Sequence, residues 1–277
     1  MFKYLRKAQK KYEHKKVGQD RTGDILKLID MFGYVYGIQY VNAEFIYKNF
    51  YTNKVQSNLK HITTSQGKKL VDCIQNNSKE YDVEQYFLTL IEQDDVFEDY
   101  IYMKWIYQHL GNETIQRRVD LIRKKKHMQE LYDCIITSET NDTQKKEYIL
   151  MIADSYKNKE ILTNFLCVMD AKFILDNLDD SKDTRIKERV KLCLSSDYDF
   201  GEDSYAQKFA LRKLICAIEL VEDKPEQDKL YLKLVNTLDN SANVFRYTSV
   251  KFLENRVYSE NEDIKKYVAK NISVRPY

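Results

Sequence analysis

The sequence predicts an all-α fold, and three observations carry that reading. Only 7 Gly and 2 Pro serve 277 residues, and one of those prolines is Pro276. Sandwiches and barrels need a turn signal roughly every 8–12 residues, usually built from Gly or Pro. Hydrophobic residues at 43% and charged residues at 32% suit helices with one apolar and one heavily charged face. Apolar residues also recur at three- and four-residue spacing along most of the chain.

Residues 1–16 form a candidate amphipathic helix, with Phe2, Leu5 and Tyr12 to one side and Lys3, Arg6, Lys7, Lys10 and Lys11 among its cations. Gly18 and Gly23 punctuate its end. The next apolar-periodic run, 24–50, holds Ile25, Leu28, Ile29, Phe45 and Ile46, with Gly33 and Gly37 placed either to break it or to let another helix approach closely. From 51 to 68 the pattern loosens through Ser, Asn, Thr and Gly67, which predicts a loop. Helices then fit 68–76 and 81–92, with Ser78 as a capping residue.

From 95 the pattern is more regular. It predicts helices over 95–110, 113–126, 128–138, 143–157, 159–168, 171–178, 183–195, 203–221, 226–239, 242–258 and 261–271. Asp142-Thr143 and Asp183-Thr184 supply polar N-terminal residues, and Pro225 suits a first helical turn. The organisation expected is an N-terminal helical segment, 1–60, ahead of a helical body, 61–277, or one continuous domain. No run approaches the length and apolarity of a membrane span.

Self-similarity is present in the second half. At an offset of 60, Leu178-Asp179-Asp180-Ser181 falls on Leu238-Asp239-Asn240-Ser241, and Val190-Lys191-Leu192 on Val250-Lys251-Phe252. At an offset of 41, Asp142-Thr143 falls on Asp183-Thr184 and Lys146-Glu147 on Lys187-Glu188. Over about 125–271 the chain resembles HEAT and armadillo helical-repeat proteins. The resemblance implies stacked antiparallel helix pairs, an α-solenoid, with a compact irregular helical array as the other arrangement. The Pro of the first helix and Arg of the second, usual in that family, are not regularly present.

Catalytic and metal motifs are missing. His14, His61, His109 and His127 never sit three or four apart, and no HExxH, P-loop or GxSxG occurs. Cys73, Cys134, Cys167, Cys193 and Cys216 form no CxxC pair; four of them, Cys167 and Cys216 included, sit in apolar periodic contexts that predict buried, reduced thiols of a cytoplasmic protein. Trp105 reads as a packing residue. No nucleophile, base or cofactor site is nominated.

Charge and tyrosine therefore carry the functional expectation. Residues 1–16 hold seven Lys and Arg against Glu13, a net +6, which leaves 38 cations against 42 acids elsewhere. Arg117, Arg118, Arg123, Lys124, Lys125 and Lys126 form a second basic segment, expected to close a helix where cations complement the dipole. Acidic turns at Asp94, Asp95 and Asp99, at Asp179–Asp183 and at Asp197–Asp203 suit a basic partner. With 22 Tyr, clustered around Tyr34–Tyr40 and Tyr100–Tyr107, the chain also has the material of a recognition surface. The expectation is a non-enzymatic adaptor holding a partner protein. The alternative is a nucleic-acid-binding accessory protein that uses the two basic segments.

Overall fold

A computed structural model describes residues 22–31, 37–178, 183–195, 205–238, 241–257 and 259–272. The described residues are all-α: helices and short 3-10 turns, with no strand among them. The chain divides into two compact units at Ile122/Arg123. The basic segment 1–16, with Lys3, Arg6, Lys7, Lys10 and Lys11, lies outside the described residues, as do Gly33, Tyr34, Tyr36, Asp179, Asp180 and 197–203.

The first unit contains α1 (Thr22–Met31), α2 (Ala43–Lys48), α3 (Asn53–Gln56), α4 (Thr64–Asn77), α5 (Glu80–Gln93), α6 (Met103–Gln108) and α7 (Glu113–Arg118). Helix α4 is its centre, packing on α2 and α5 and burying Leu70, Val71 and Ile74. Its start is a reciprocal cap: Gln66 N donates to Thr63 Oγ1 at 3.2 Å, and Thr63 N donates to Gln66 Oε1 at 3.0 Å. The same Gln66 amide donates to the Ile38 carbonyl at 2.9 Å and the Val41 carbonyl at 2.6 Å, tying down the 3-10 turn Gly37–Tyr40. Gly67 lies against Tyr100: a Cβ there would stand 2.5 Å from the ring, so only glycine permits the approach.

Polar residues inside apolar runs divide the long helices expected here. The 51–68 segment, expected as a loop, contains α3, a 3-10 turn Leu59–His61 and the first turn of α4. The 95–110 run is a 3-10 turn, Phe97–Asp99, followed by α6. Asp94, just ahead of this run, organises its first turn: its Oδ1 accepts from Val96 N at 3.0 Å while its Oδ2 accepts from the buried Tyr100 hydroxyl at 2.5 Å. Burial raises both pKa values from their ordinary ranges.

The second unit contains α8 (Lys125–Ile136), α9 (Asp142–Ser155), α10 (Lys159–Val168), α11 (Ala171–Asp176), α12 (Arg185–Leu194), α13 (Tyr205–Glu219), α14 (Lys224–Thr237), α15 (Ser241–Tyr247), α16 (Val250–Arg256) and α17 (Glu262–Ile272). Helix α10 is the hub, in contact with α8, α12 and α13, and its last four residues, Phe165 to Val168, are all buried. Corresponding members of two successive helix pairs also touch, α9 with α12 and α10 with α13. Asparagine and aspartate make the helix starts that Gly and Pro do not: Asn141, Asn158, Asp170 and Asp223 each accept a first-turn N–H. The 242–258 run is two helices because Ser249 caps α16, accepting from Phe252 N at 3.2 Å.

Both sequence offsets keep part of the burial pattern. At 41, Ile149 falls on Val190, Ile152 on Cys193 and Ala153 on Leu194, all buried, but buried Leu150 falls on exposed Lys191. At 60, Ile174 falls on Leu234, Leu178 on Leu238 and Cys193 on Leu253, all buried. Yet Val190 is 0% exposed and Val250 54%, while Leu192 is 49% exposed and Phe252 6%. Cys216, expected inside, is exposed: Leu211, Leu214, Ile215 and Ile218 form the buried face of α13, and Cys216 points away from it.

One polar contact fixes the hub. Lys213 Nζ donates to the carbonyls of Leu166 (2.7 Å), Cys167 (3.0 Å) and Met169 at the C-terminal end of α10, where orphan carbonyls and the helix dipole favour a cation. Burial nonetheless pushes the ammonium down to about 8. Lys213→Met should lower stability by about 1–3 kcal/mol at neutral pH, since three carbonyls lose their donor. The unfolded lysine binds its proton up to about pH 10.4, so between the folded and unfolded pKa the unfolded chain holds more protons. Wild-type stability, measured against Lys213→Met by denaturant titration, should therefore rise as the pH goes from 8 towards 10.

Candidate functional site

The acidic and basic residues expected to face separate partners face each other in the first unit. Arg118 at the end of α7 donates to Asp95 Oδ1 at 2.5 Å and to the Ile91 carbonyl at 3.1 Å, and Arg117 stands 3.5 Å from Glu92. Asp94 is buried, and both its oxygens are engaged with Val96 and Tyr100. Asp99 is half-buried. This turn is a cross-link between α5 and α7 more than a free acidic face.

The run 117–127 is not one helix. It is split by a 3-10 turn, Val119–Leu121, so Arg123, Lys124, Lys125 and Lys126 stand at the start of α8 and not at the end of a helix. All four are exposed. Lys124 occupies the N-cap position and makes no side-chain cap, so cations crowd the positive end of the helix dipole. Lys126 lies 3.6 Å from Glu130, and Lys125 Nζ lies 4.9 Å from the Phe209 ring centre. Among acids of the second unit, Asp183 is held by Arg185 at 2.9 Å, with Arg185 reaching Glu147 at 2.8 Å. The Arg185 hydrogen bond holds the Asp183 carboxyl below its usual range.

A tyrosine patch on the first unit involves none of the tyrosine clusters singled out in the sequence. Tyr47 of α2, Phe50 and Tyr51 of the following turn, and Tyr86 of α5 form one aromatic group. Tyr86 lies 4.7 Å from Phe50, 5.0 Å from Tyr51 and 5.6 Å from Tyr47, ring centre to ring centre. Phe50 is buried beneath; Tyr51 is 54% exposed. The Tyr51 and Tyr86 hydroxyls are pushed up by partial burial, with Asp82 adding to the effect in both. Helical spacing puts Asp82 and Tyr86 on one side of α5, but their approach to residues 47–51 needs the tertiary fold. Trp105 packs edge-on against Phe87 at 4.9 Å and stacks on His109 at 4.0 Å, as a packing residue does.

The second unit has a cleft of about 510 Å³ between the first turns of α14, the end of α16 and the connector into α17. Its floor is a buried ion pair, Arg256 Nε to Asp228 Oδ1, with side chains 5% and 7% exposed. Ser259 Oγ donates to Asp228 Oδ2 at 2.5 Å, and the guanidinium lies 4.6 Å from the Phe252 ring centre. Arg256 Nη2 is buried without a hydrogen-bond partner. Lys224, Asn255, Glu260 and Asn261 form the walls. Sequence reading missed this site because 224–228 and 255–261 are separated in the chain and neither segment carries a motif. Among the described residues no group of three His, Cys, Asp or Glu could hold a metal, and no helix is long and apolar enough to cross a membrane.

Removing one member of the buried pair leaves the other charge uncompensated. Arg256→Met should therefore cost about 3–5 kcal/mol in chemical denaturation, and adding Asp228→Leu should restore most of it.

Comparison with protein-family models, with curated proteins and with solved structures finds no match to this chain.

Proposed function

We propose that the chain is a non-enzymatic binding protein, an adaptor that holds a partner protein, and that the Tyr47–Tyr51–Tyr86 patch is its contact surface. The patch carries the reading. Tyrosines bury large area with few rotatable bonds and keep a polar tip, which is why they concentrate energy in protein interfaces. Here three are mutually buttressed over a buried Phe50, so their rings are already positioned before any partner arrives. The packing of α9 on α12 and of α10 on α13 supports a HEAT-like pairing of helices in the second unit.

Tyr51→Ala should weaken the principal partner by about tenfold or more, with helicity by circular dichroism unchanged. The partner would be identified by cross-linked capture from the native source and then titrated in pure form. Equal affinity of Tyr51→Ala and wild type for every captured protein would remove the patch from the reading.

One observation favours a second reading, binding of nucleic acid. Arg123 to Lys126 place four exposed cations at a helix start, where the dipole opposes them, and phosphate would relieve that repulsion. Changing Lys124, Lys125 and Lys126 together to Gln should flatten the log–log salt dependence of duplex DNA or single-stranded RNA affinity by about 2–3 units. An unchanged slope would assign any binding to other cations.

A further inference from the structure

We propose that the cleft between α14, α16 and α17 binds a small ligand through an oxyanion, a phosphate or a carboxylate group. Asp228 Oδ2 accepts from Ser259, and Asp228 Oδ1 is ion-paired with Arg256 Nε without hydrogen-bond geometry. Arg256 carries five N–H donors, and its Nε and Nη2 are both buried without a hydrogen-bond partner. Unmatched buried donors of this kind are uncommon in folded proteins and point to something that accepts from them.

The walls add donors. Asn261 lines the cleft, and its Oδ1 is occupied, accepting from Asp263 N at 3.0 Å and Ile264 N at 3.2 Å, which leaves its amide NH2 as the remaining polar group of the side chain. Lys224 is exposed at the rim and makes no hydrogen bond or ion pair among the described residues. The Ser259 hydroxyl donates its hydrogen bond to Asp228, and its oxygen accepts from Asn261 N at 3.1 Å. Glu260, also exposed, is an acceptor on the wall that makes no hydrogen bond or ion pair among the described residues. Two helix starts border the space, α14 at Lys224 and α17 beside Asn261, each presenting the positive end of its dipole. Pro225 closes the wall with no N–H of its own. A cleft of about 510 Å³ is the size of a small-molecule site.

The sign of the ligand's charge is testable without touching the buried pair. Isothermal titration of the full chain with inorganic phosphate, and separately with malonate, at constant ionic strength should give saturable one-to-one binding to at least one of them. Phosphate alone, or malonate alone, identifies which oxyanion the cleft accepts. Lys224→Gln should weaken that binding by about three- to tenfold, and Glu260→Gln should strengthen it by about threefold, since each removes one exposed charge at the rim. Both positions are exposed, so neither change threatens the fold. Non-saturating heats with both anions, or binding that Lys224→Gln leaves unchanged or improves, would overturn the proposal.

Discussion

Burial of one face against neighbours on either side is what keeps these helices folded, because most are too short to stand alone. Helices α2, α6, α7 and α11 have six residues each, and α15 and α16 seven. Isolated helices below about 12–15 residues are marginal in water, since nucleation consumes more order than so few hydrogen bonds return. Each short helix is therefore paired with a longer one that lends it an apolar surface. Helix α2 lies on α4, α7 on α5, and α11 on α13. The side-chain caps at Asn42, Asn112, Asp170 and Ser249 supply the rest, each satisfying a backbone N–H that a short helix can least spare.

That arrangement explains how much of the fold was legible. Where a helix is long and its apolar face is continuous, as in α9, α10 and α14, the spacing of Leu and Ile located it within two residues. Where one apolar stripe runs through two short helices, the stripe alone could not show the break. Residues 242–258 read as one helix although Thr248 bonds back to the Val244 carbonyl at 2.7 Å and Ser249 starts a new turn. The same competition, a polar side chain taking a backbone group, sets the turn just ahead of the 95–110 run at Asp94.

Charge was legible as composition but not as surface. Arg118 and Asp95 are 23 residues apart, and only the α5–α7 packing shows that they neutralise each other. The tyrosine patch is hidden for the same reason: Tyr47, Tyr51 and Tyr86 come from two segments that meet only through tertiary contacts around α4. The cleft is a stronger case. Its floor joins Asp228 to Arg256, each of which reads in sequence as one more exposed charge on an amphipathic helix, and each of which is buried.

Lys213 introduces a constraint of another kind. Apolar contacts between α10 and α13 would tolerate small slips, because one methyl replaces another at little penalty. The ammonium instead meets three particular carbonyls at the end of α10. One residue inserted into α10 would turn its end by about 100° and move it by ~1.5 Å, carrying those carbonyls out of reach. The length of α10 is thus locked to the position of a single side chain on α13. Over evolutionary time this junction should accept exchanges of side chain far more readily than insertions or deletions.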